Sequence, residues 1–233
     1  MQPPSQNPIV QVRGLTRTYL QGKVTVNALR GVDLDVGRGE FTALMGPSGS
    51  GKTTLLNLVG GLDSPDAGSV VVDGRELTRL SPGELADLRL AHIGFVFQSY
   101  NLIPVLSAAE NAEFVLVLRG VPAAERAARG KETLAAVGLA GLEQRRPDEL
   151  SGGQQQRVAV ARAIASRPAL VLADEPTANL DSHTAQELIS LMLQLNRELG
   201  LTFLFATHDP KVMEAARRVV WMEDGRVARD VRK

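Results

Sequence analysis

Cysteine is absent from all 233 residues, and aromatic side chains are scarce, with one Trp and two Tyr. The first absence excludes a disulfide framework and any thiolate metal centre, and it accords with a reducing compartment. An excess of one charge is missing too. Lys plus Arg number 26 against 26 Asp plus Glu, so no global positive field exists to gather nucleic acid or anionic lipid, and only local patches remain open. Long apolar runs are lacking as well: stretches such as Phe114 to Leu118 fall far short of the ~20 residues of a membrane helix, which leaves any work at a membrane to a partner. The start, Met1 to Pro8, is polar and proline-rich rather than basic and then apolar, and does not read as a secretory signal. No internal repeat or low-complexity stretch stands out, and residues 9 to 233 read as one globular unit.

What is present is a hydrophobic fraction of 44%, enough for a buried core, with a pattern that changes along the chain. Short β-branched runs at Ile9 to Val12, Val32 to Val36, Phe41 to Met45 and Val70 to Val72 predict a strand-rich first third. Ser81 to Arg167 is mostly helical in pattern, with one strand at Ile93 to Phe97 and breaks at Pro104, Pro122 and Pro147. The last third alternates: strand Ala169 to Ala173, helix Ser182 to Leu199, strand Thr202 to Ala206, helix Pro210 to Ala216, then short strands at Val219 to Met222 and around Val227. Such alternation predicts an α/β fold with a parallel sheet covered by helices. Leu188, Leu191, Met192, Leu195 and Leu199 form the apolar stripe of the long helix, which Gly200 stops.

Gly46-Pro47-Ser48-Gly49-Ser50-Gly51-Lys52-Thr53 matches G-x-x-x-x-G-K-[ST], after an apolar strand and before the helical run from Thr54 to Val59. Glycines let the backbone curl around phosphate oxygens, and the helix N-terminus favours the anion. Lys52 adds a mobile positive charge for the β- and γ-phosphates, and the Thr53 hydroxyl is a Mg²⁺ ligand candidate. A second site follows Leu170-Val171-Leu172-Ala173, where Asp174 and Glu175 stand at the C-terminal end of a buried strand, the place where open α/β sheets bind ligands. Asp174 suits the metal, and Glu175 suits the water that attacks the γ-phosphorus.

Between these two lies Leu150-Ser151-Gly152-Gly153-Gln154. With Gln98, Asp181 and His208 it resembles the ABC ATPase family, whose motifs occur here in the family's order over nearly the whole chain. Gly60-Gly61-Leu62-Asp63, Gly94-Phe95-Val96-Phe97-Gln98 and Ala173-Asp174-Glu175-Pro176-Thr177 resemble its lipoprotein-releasing, macrolide-exporting and cell-division branch, from which Ala178 departs where glycine is common. The resemblance implies a P-loop NTPase core with a mostly parallel sheet, an N-terminal antiparallel β subdomain and an α-helical subdomain inserted at about residues 99–160, in a single domain spanning 1–233. It implies MgATP as cofactor and a head-to-tail homodimer, in which Ser151 and Gly153 of one copy reach the γ-phosphate held by the other.

Ser151 and Gln154 also fit a helix capping box, but two glycines in a first turn, each unfavourable by about 1 kcal/mol against Ala, point to a close approach. Gln98 is placed by the resemblance at Mg²⁺ or the attacking water, His208 at the γ-phosphate and Glu175, and Tyr19 against adenine. Asp181 joins the nucleotide set and equally suits a helix N-cap. His92 and His183 read as solvent-facing, and Arg126, Arg129, Lys131, Arg145 and Arg146 as solvated faces. The implied function is the ATPase subunit of an ABC transporter at the cytoplasmic face of a membrane. It would contact integral membrane permease subunits through Gln98 to Pro104, where Tyr100 and Leu102 are expected to be exposed, and it would bind no nucleic acid. The alternatives are a soluble ABC ATPase acting on nucleic acid or ribosomes, and an importer ATPase for small solutes.

Overall fold

The computed structural model describes residues 8–233, so the Met1 to Asn7 part of the polar start lies outside the described residues. In chain order the strands are β1 (Val10–Gln21), β2 (Val24–Val36), β3 (Phe41–Met45), β4 (Ala67–Val72), β5 (Arg75–Glu76), β6 (Ile93–Val96), β7 (Leu170–Asp174), β8 (Thr202–Ala206), β9 (Arg218–Glu223) and β10 (Arg226–Arg232). The helices are α1 (Lys52–Val59), α2 (Pro82–His92), α3 (Ala108–Leu118), α4 (Ala123–Ala136), α5 (Gly152–Ile164), α6 (Ser182–Leu199) and α7 (Pro210–Ala215).

Two sheets result. The first is antiparallel, in the order β2-β1-β4-β5. The second runs β10-β9-β3-β8-β7-β6 and is parallel except for the final β9–β10 hairpin. Every residue of β3 and β8 is buried, as expected for central strands covered on both faces. Alternation along these strands sorts their side chains into two cores. Phe41, Ala43, Val171, Ala173, Phe203 and Phe205 face α5 and α6, whereas Leu44, Leu170, Leu172, Leu204 and Ala206 face α1 and the antiparallel sheet. The rings of Phe41 and Phe205 meet with centroids 4.5 Å apart.

Helices α3, α4 and α5 pack on one another as the insert between β6 and β7. Ser107 and Glu110 cap α3 reciprocally, as Ser151 and Gln154 cap α5. The C-terminal hairpin is tied down by Arg218, 7% exposed, which pairs with Glu40 and Asp230 and donates to the Asp35 carbonyl. Burial alone would depress the Arg218 pKa, but its bonds to the two carboxylates raise it above the ordinary arginine value.

Three expectations need correction. The N-terminal strands reach well beyond Ile9 to Val12 and Val32 to Val36, because their far halves form an exposed hairpin in which no face is buried. His92 is not simply solvent-facing: its Nδ1 lies 2.7 Å from Asp73 Oδ2 at the turn after β4. Arg126 and Arg129 are half-buried, one donating to the Val121 carbonyl and the other to Glu125, whereas Lys131, Arg145 and Arg146 are exposed.

Candidate functional site

Strand β3 delivers the chain at Met45 into a loop that the sequence makes tight. Gly46 has φ 146°, and a Cβ there would lie 2.2 Å from the Met222 carbonyl. Gly51 has φ 100°, and its Cβ would lie 2.5 Å from the Ala28 carbonyl. Only glycine satisfies both the dihedral and the approach. Gly51 is also the N-cap of α1 and supplies no side-chain bond, so the first N–H groups of that helix are left for another acceptor.

Lys52 is buried, and its Nζ folds back onto the carbonyls of Gly46 and Pro47 at 2.8 and 2.9 Å. Thr53 Oγ1 donates to Asp174 Oδ1 at 3.0 Å, which joins the loop to the end of β7. Burial raises the Asp174 pKa and the neighbouring Glu175 charge adds to that, while the Thr53 hydroxyl and Lys52 act against it. Glu175 adopts φ 46°, a left-handed conformation that costs a non-glycine residue free energy and clusters at functional sites. Its carboxylate, 17% exposed, lies 2.8 Å from His208 Nδ1 through Oε1 and accepts the His208 backbone N–H at 3.4 Å through Oε2.

These groups edge a cavity of about 650 Å³, lined by Tyr19, Val26, Ala28, Ser48, Gly49, Gly51, Lys52, Thr53, Thr54, Gln98, Glu175, Ala178 and His208. The ABC transporter family model matches residues 29–178, which covers both the glycine loop and the acidic pair. The chain belongs to the ABC transporter family.

Relatives bear this out over nearly the whole of this chain. The chain is 49% identical over 231 residues to a lipoprotein-releasing system ATP-binding protein, LolD, of Anaeromyxobacter dehalogenans, covering 99% of this chain and 97% of that one. It is 47% identical to a macrolide export ATP-binding/permease protein, MacB, of Paracoccus denitrificans, over 97% of this chain and 34% of that protein. Among solved structures it is similar to the dimeric cassette MJ0796 of Methanocaldococcus jannaschii in a post-hydrolysis state with ADP and Pi. There the TM-score is 0.88 at 42% identity, over 96% of this chain and 98% of that one. This ABC cassette is therefore an ATPase of the transport class, and the nucleic-acid and small-solute importer readings are not favoured.

The cassette's donor set suits a metal-bound triphosphate. It offers free helix N–H groups, the Lys52 ammonium, the hydroxyls of Ser48, Thr53 and Thr54 and the Glu175 carboxylate at one mouth, with the Asp174 carboxylate joined to it through Thr53. The α5-turn residues and Asp181 lie elsewhere. Ser151, Gly152, Gly153 and Gln154 stand at the start of α5 and do not line the cavity, with Ser151 exposed. Their glycines have an internal cause as well: a Cβ on Gly153 would lie 2.3 Å from Thr184 Cγ2, and one on Gly152 2.9 Å from the Tyr100 hydroxyl. Asp181 caps α6, accepting from the backbone of His183 and Thr184 and from Thr184 Oγ1 at 2.6 Å. Gln98 lines the cavity, and its carbonyl accepts from Asn179 Nδ2.

Several contributors carry no local sequence signal. Gln156 is fully buried and donates to the carbonyls of Phe97 and Pro176, joining the Gln98 segment to the turn after Glu175. Val26 and Ala28 wall the cavity from β2.

Proposed function

We propose that two copies of this cassette close head to tail around two MgATP and drive a conformational change in membrane-embedded partner subunits. Lys52 leaves the carbonyls of Gly46 and Pro47 for the β- and γ-phosphates, an exchange of weak acceptors for charged ones. Thr53, Asp174 and Gln98 would hold Mg²⁺, which supplies neutralising charge on the phosphates. Tyr19 stacks on the adenine, while Ser48, Gly49, Ser50, Gly51 and Thr54 contribute the phosphate cradle. Ser151, Gly152, Gly153, Gln154 and Asp181 complete the site of the opposite copy. Glu175 takes the proton of the attacking water, and His208 keeps its carboxylate aimed.

The observation that carries this reading is Glu175 itself, at φ 46° and with its carboxylate bonded to His208 at the mouth of the glycine-loop cavity. Glu175→Gln keeps the shape and removes the base. Steady-state phosphate release should fall at least ~100-fold while ATP binding persists, and release at the parental rate would assign the base elsewhere.

Within the expected contact segment Gln98 to Pro104, Tyr100 and Leu102 are less open than expected. Both of those are half-buried, Leu102 against the core and Tyr100 against Gly152. A neighbouring groove of about 450 Å³ is lined by Leu62, Leu90, Phe95, Phe97, Phe114 and Leu118, with Arg89 and Arg162. Among the described residues neither arginine has a carboxylate partner; they donate to the carbonyls of Gly61, Tyr100 and Asn101. A short apolar helix with an acidic residue, from a permease subunit at the inner face of the membrane, complements this groove. No described helix is long and apolar enough to cross a membrane, which leaves that step to the partner.

A further inference from the structure

Tyr19 is held by groups that the preceding scheme does not use. Arg17 and Tyr19, two apart on β1, share a face of the strand. The guanidinium carbon of Arg17 lies 4.9 Å from the centroid of the Tyr19 ring, so a cation covers one face of it. The phenol donates to Asp63 Oδ2 at 2.7 Å. Asp63 also accepts from Arg17 Nε at 3.0 Å and Nη2 at 2.7 Å, and from the Ser64 N–H at 2.7 Å. Each carboxylate oxygen thus serves two donors. Burial alone would raise the Asp63 pKa, but the Tyr19 hydroxyl, the Ser64 N–H and Arg17 hold it below the ordinary aspartate value, and the acceptor stays charged at neutral pH.

Asp63 reaches Tyr19 from the helix of the phosphate loop. Gly60 caps α1, Gly61 turns the chain at φ 62°, and the Leu62 N–H closes on the Asn57 carbonyl, which sets Asp63 just beyond the helix end. The eight residues of α1 form a rod about 12 Å long. One end carries the phosphate cradle and the other carries the tether of the ring.

We propose that Asp63, together with Arg17, is a positioning residue for nucleotide binding: it locks the Tyr19 ring in one plane, with one face spent on the guanidinium and the other presented to the base. This rests on the reading of Tyr19 as the adenine platform. A ring already fixed loses no rotamer freedom when the base arrives, so the lock acts on affinity through preorganisation.

Calorimetric binding of ATP and of inorganic tripolyphosphate separates the base from the phosphates. Asp63→Ala should weaken ATP by about fivefold or more, within the range of a partly lost stacking contact, and leave tripolyphosphate affinity unchanged. Tyr19→Phe, which deletes only the tether, should weaken ATP similarly, and the double variant should be no worse than either single one. Asp63→Asn, which keeps the volume, serves if Asp63→Ala does not fold. Tyr19→Ala tests the platform: if it leaves ATP affinity intact, the stacking reading fails and the lock fails with it. If Tyr19→Ala weakens ATP but Asp63→Ala and Asp63→Asn do not, the lock alone is overturned. Equal losses for ATP and tripolyphosphate, or additive losses in the double variant, also overturn it.

Discussion

Asp174 shows at the scale of one residue how a site departs from what stability favours. Its carboxylate is partly buried beside Glu175, and its pKa stands above the ordinary aspartate value. The native state therefore keeps the proton to higher pH than the unfolded chain does. Between the unfolded and folded pKa values the fold loses stability as pH rises, and above both the penalty is constant. Asp174→Asn removes that charge while leaving an acceptor for Thr53. Nucleotide-free protein carrying it should melt at higher temperature near pH 7, with the gain shrinking as pH falls from the raised folded value toward the ordinary aspartate value and absent below it. Thermal denaturation across pH checks this, and an equal or lower melting temperature near pH 7 contradicts it. Some residues of the site were legible one at a time, because the chemistry of Lys52, Thr53 and Asp174 follows from a glycine loop and a strand end. The pairing of His92 with Asp73 was not legible, since it joins a helix end to a turn 19 residues away and leaves no local pattern.

At the scale of elements, the junction of α5 and α6 gives Gly153 of the family motif a second cause. Thr184 is held by Asp181, so its methyl group stands where a Gly153 side chain would be. Gly153→Ala should destabilise the fold by about 1 to 3 kcal/mol through overpacking, and Thr184→Ser, which keeps the hydroxyl and removes the methyl, should restore it. Denaturant unfolding measures both. If the paired variant recovers stability and ATPase activity together, packing alone explains the glycine. Recovered stability without activity supports the proposed approach of this turn to phosphate. Helix propensity marks the two glycines in the sequence, but nothing local marks Thr184, which lies 31 positions from Gly153. The regular elements were more legible: α6 ends at Gly200, with Leu188, Leu191, Met192 and Leu195 of its stripe buried and only Leu199 exposed, and β3, β7 and β8 coincide with the buried runs. The outer half of the β1–β2 hairpin is short and buries neither face: Val24 and Val26 alternate with Thr25 and Asn27, yet all four are exposed.

At the scale of the whole molecule, the parts that act together in the proposal lie apart within one chain. The cavity around Lys52, the exposed turn at Ser151 and the groove of Phe97 and Leu118 occupy different places, with Gln98 and Gln156 at the joints between them. Leu62 and Leu118 are 47% and 56% exposed, so converting both to Asp leaves the core intact. Cassette carrying both changes should lose co-purification with the proposed membrane partner subunits and keep ATP binding, and undiminished co-purification would move the docking surface elsewhere. The separation of Ser151 from the loop is the part that sequence order alone could not convey, because a motif pattern does not say whether its residues converge within one copy or across two. The mass of Glu175→Gln protein in MgATP, with and without Ser151→Phe, decides between those arrangements. Shared gripping of the nucleotide predicts a species of twice the monomer mass that Ser151→Phe returns to monomer with nucleotide still bound at the loop. An ATP-dependent dimer that survives Ser151→Phe would contradict it.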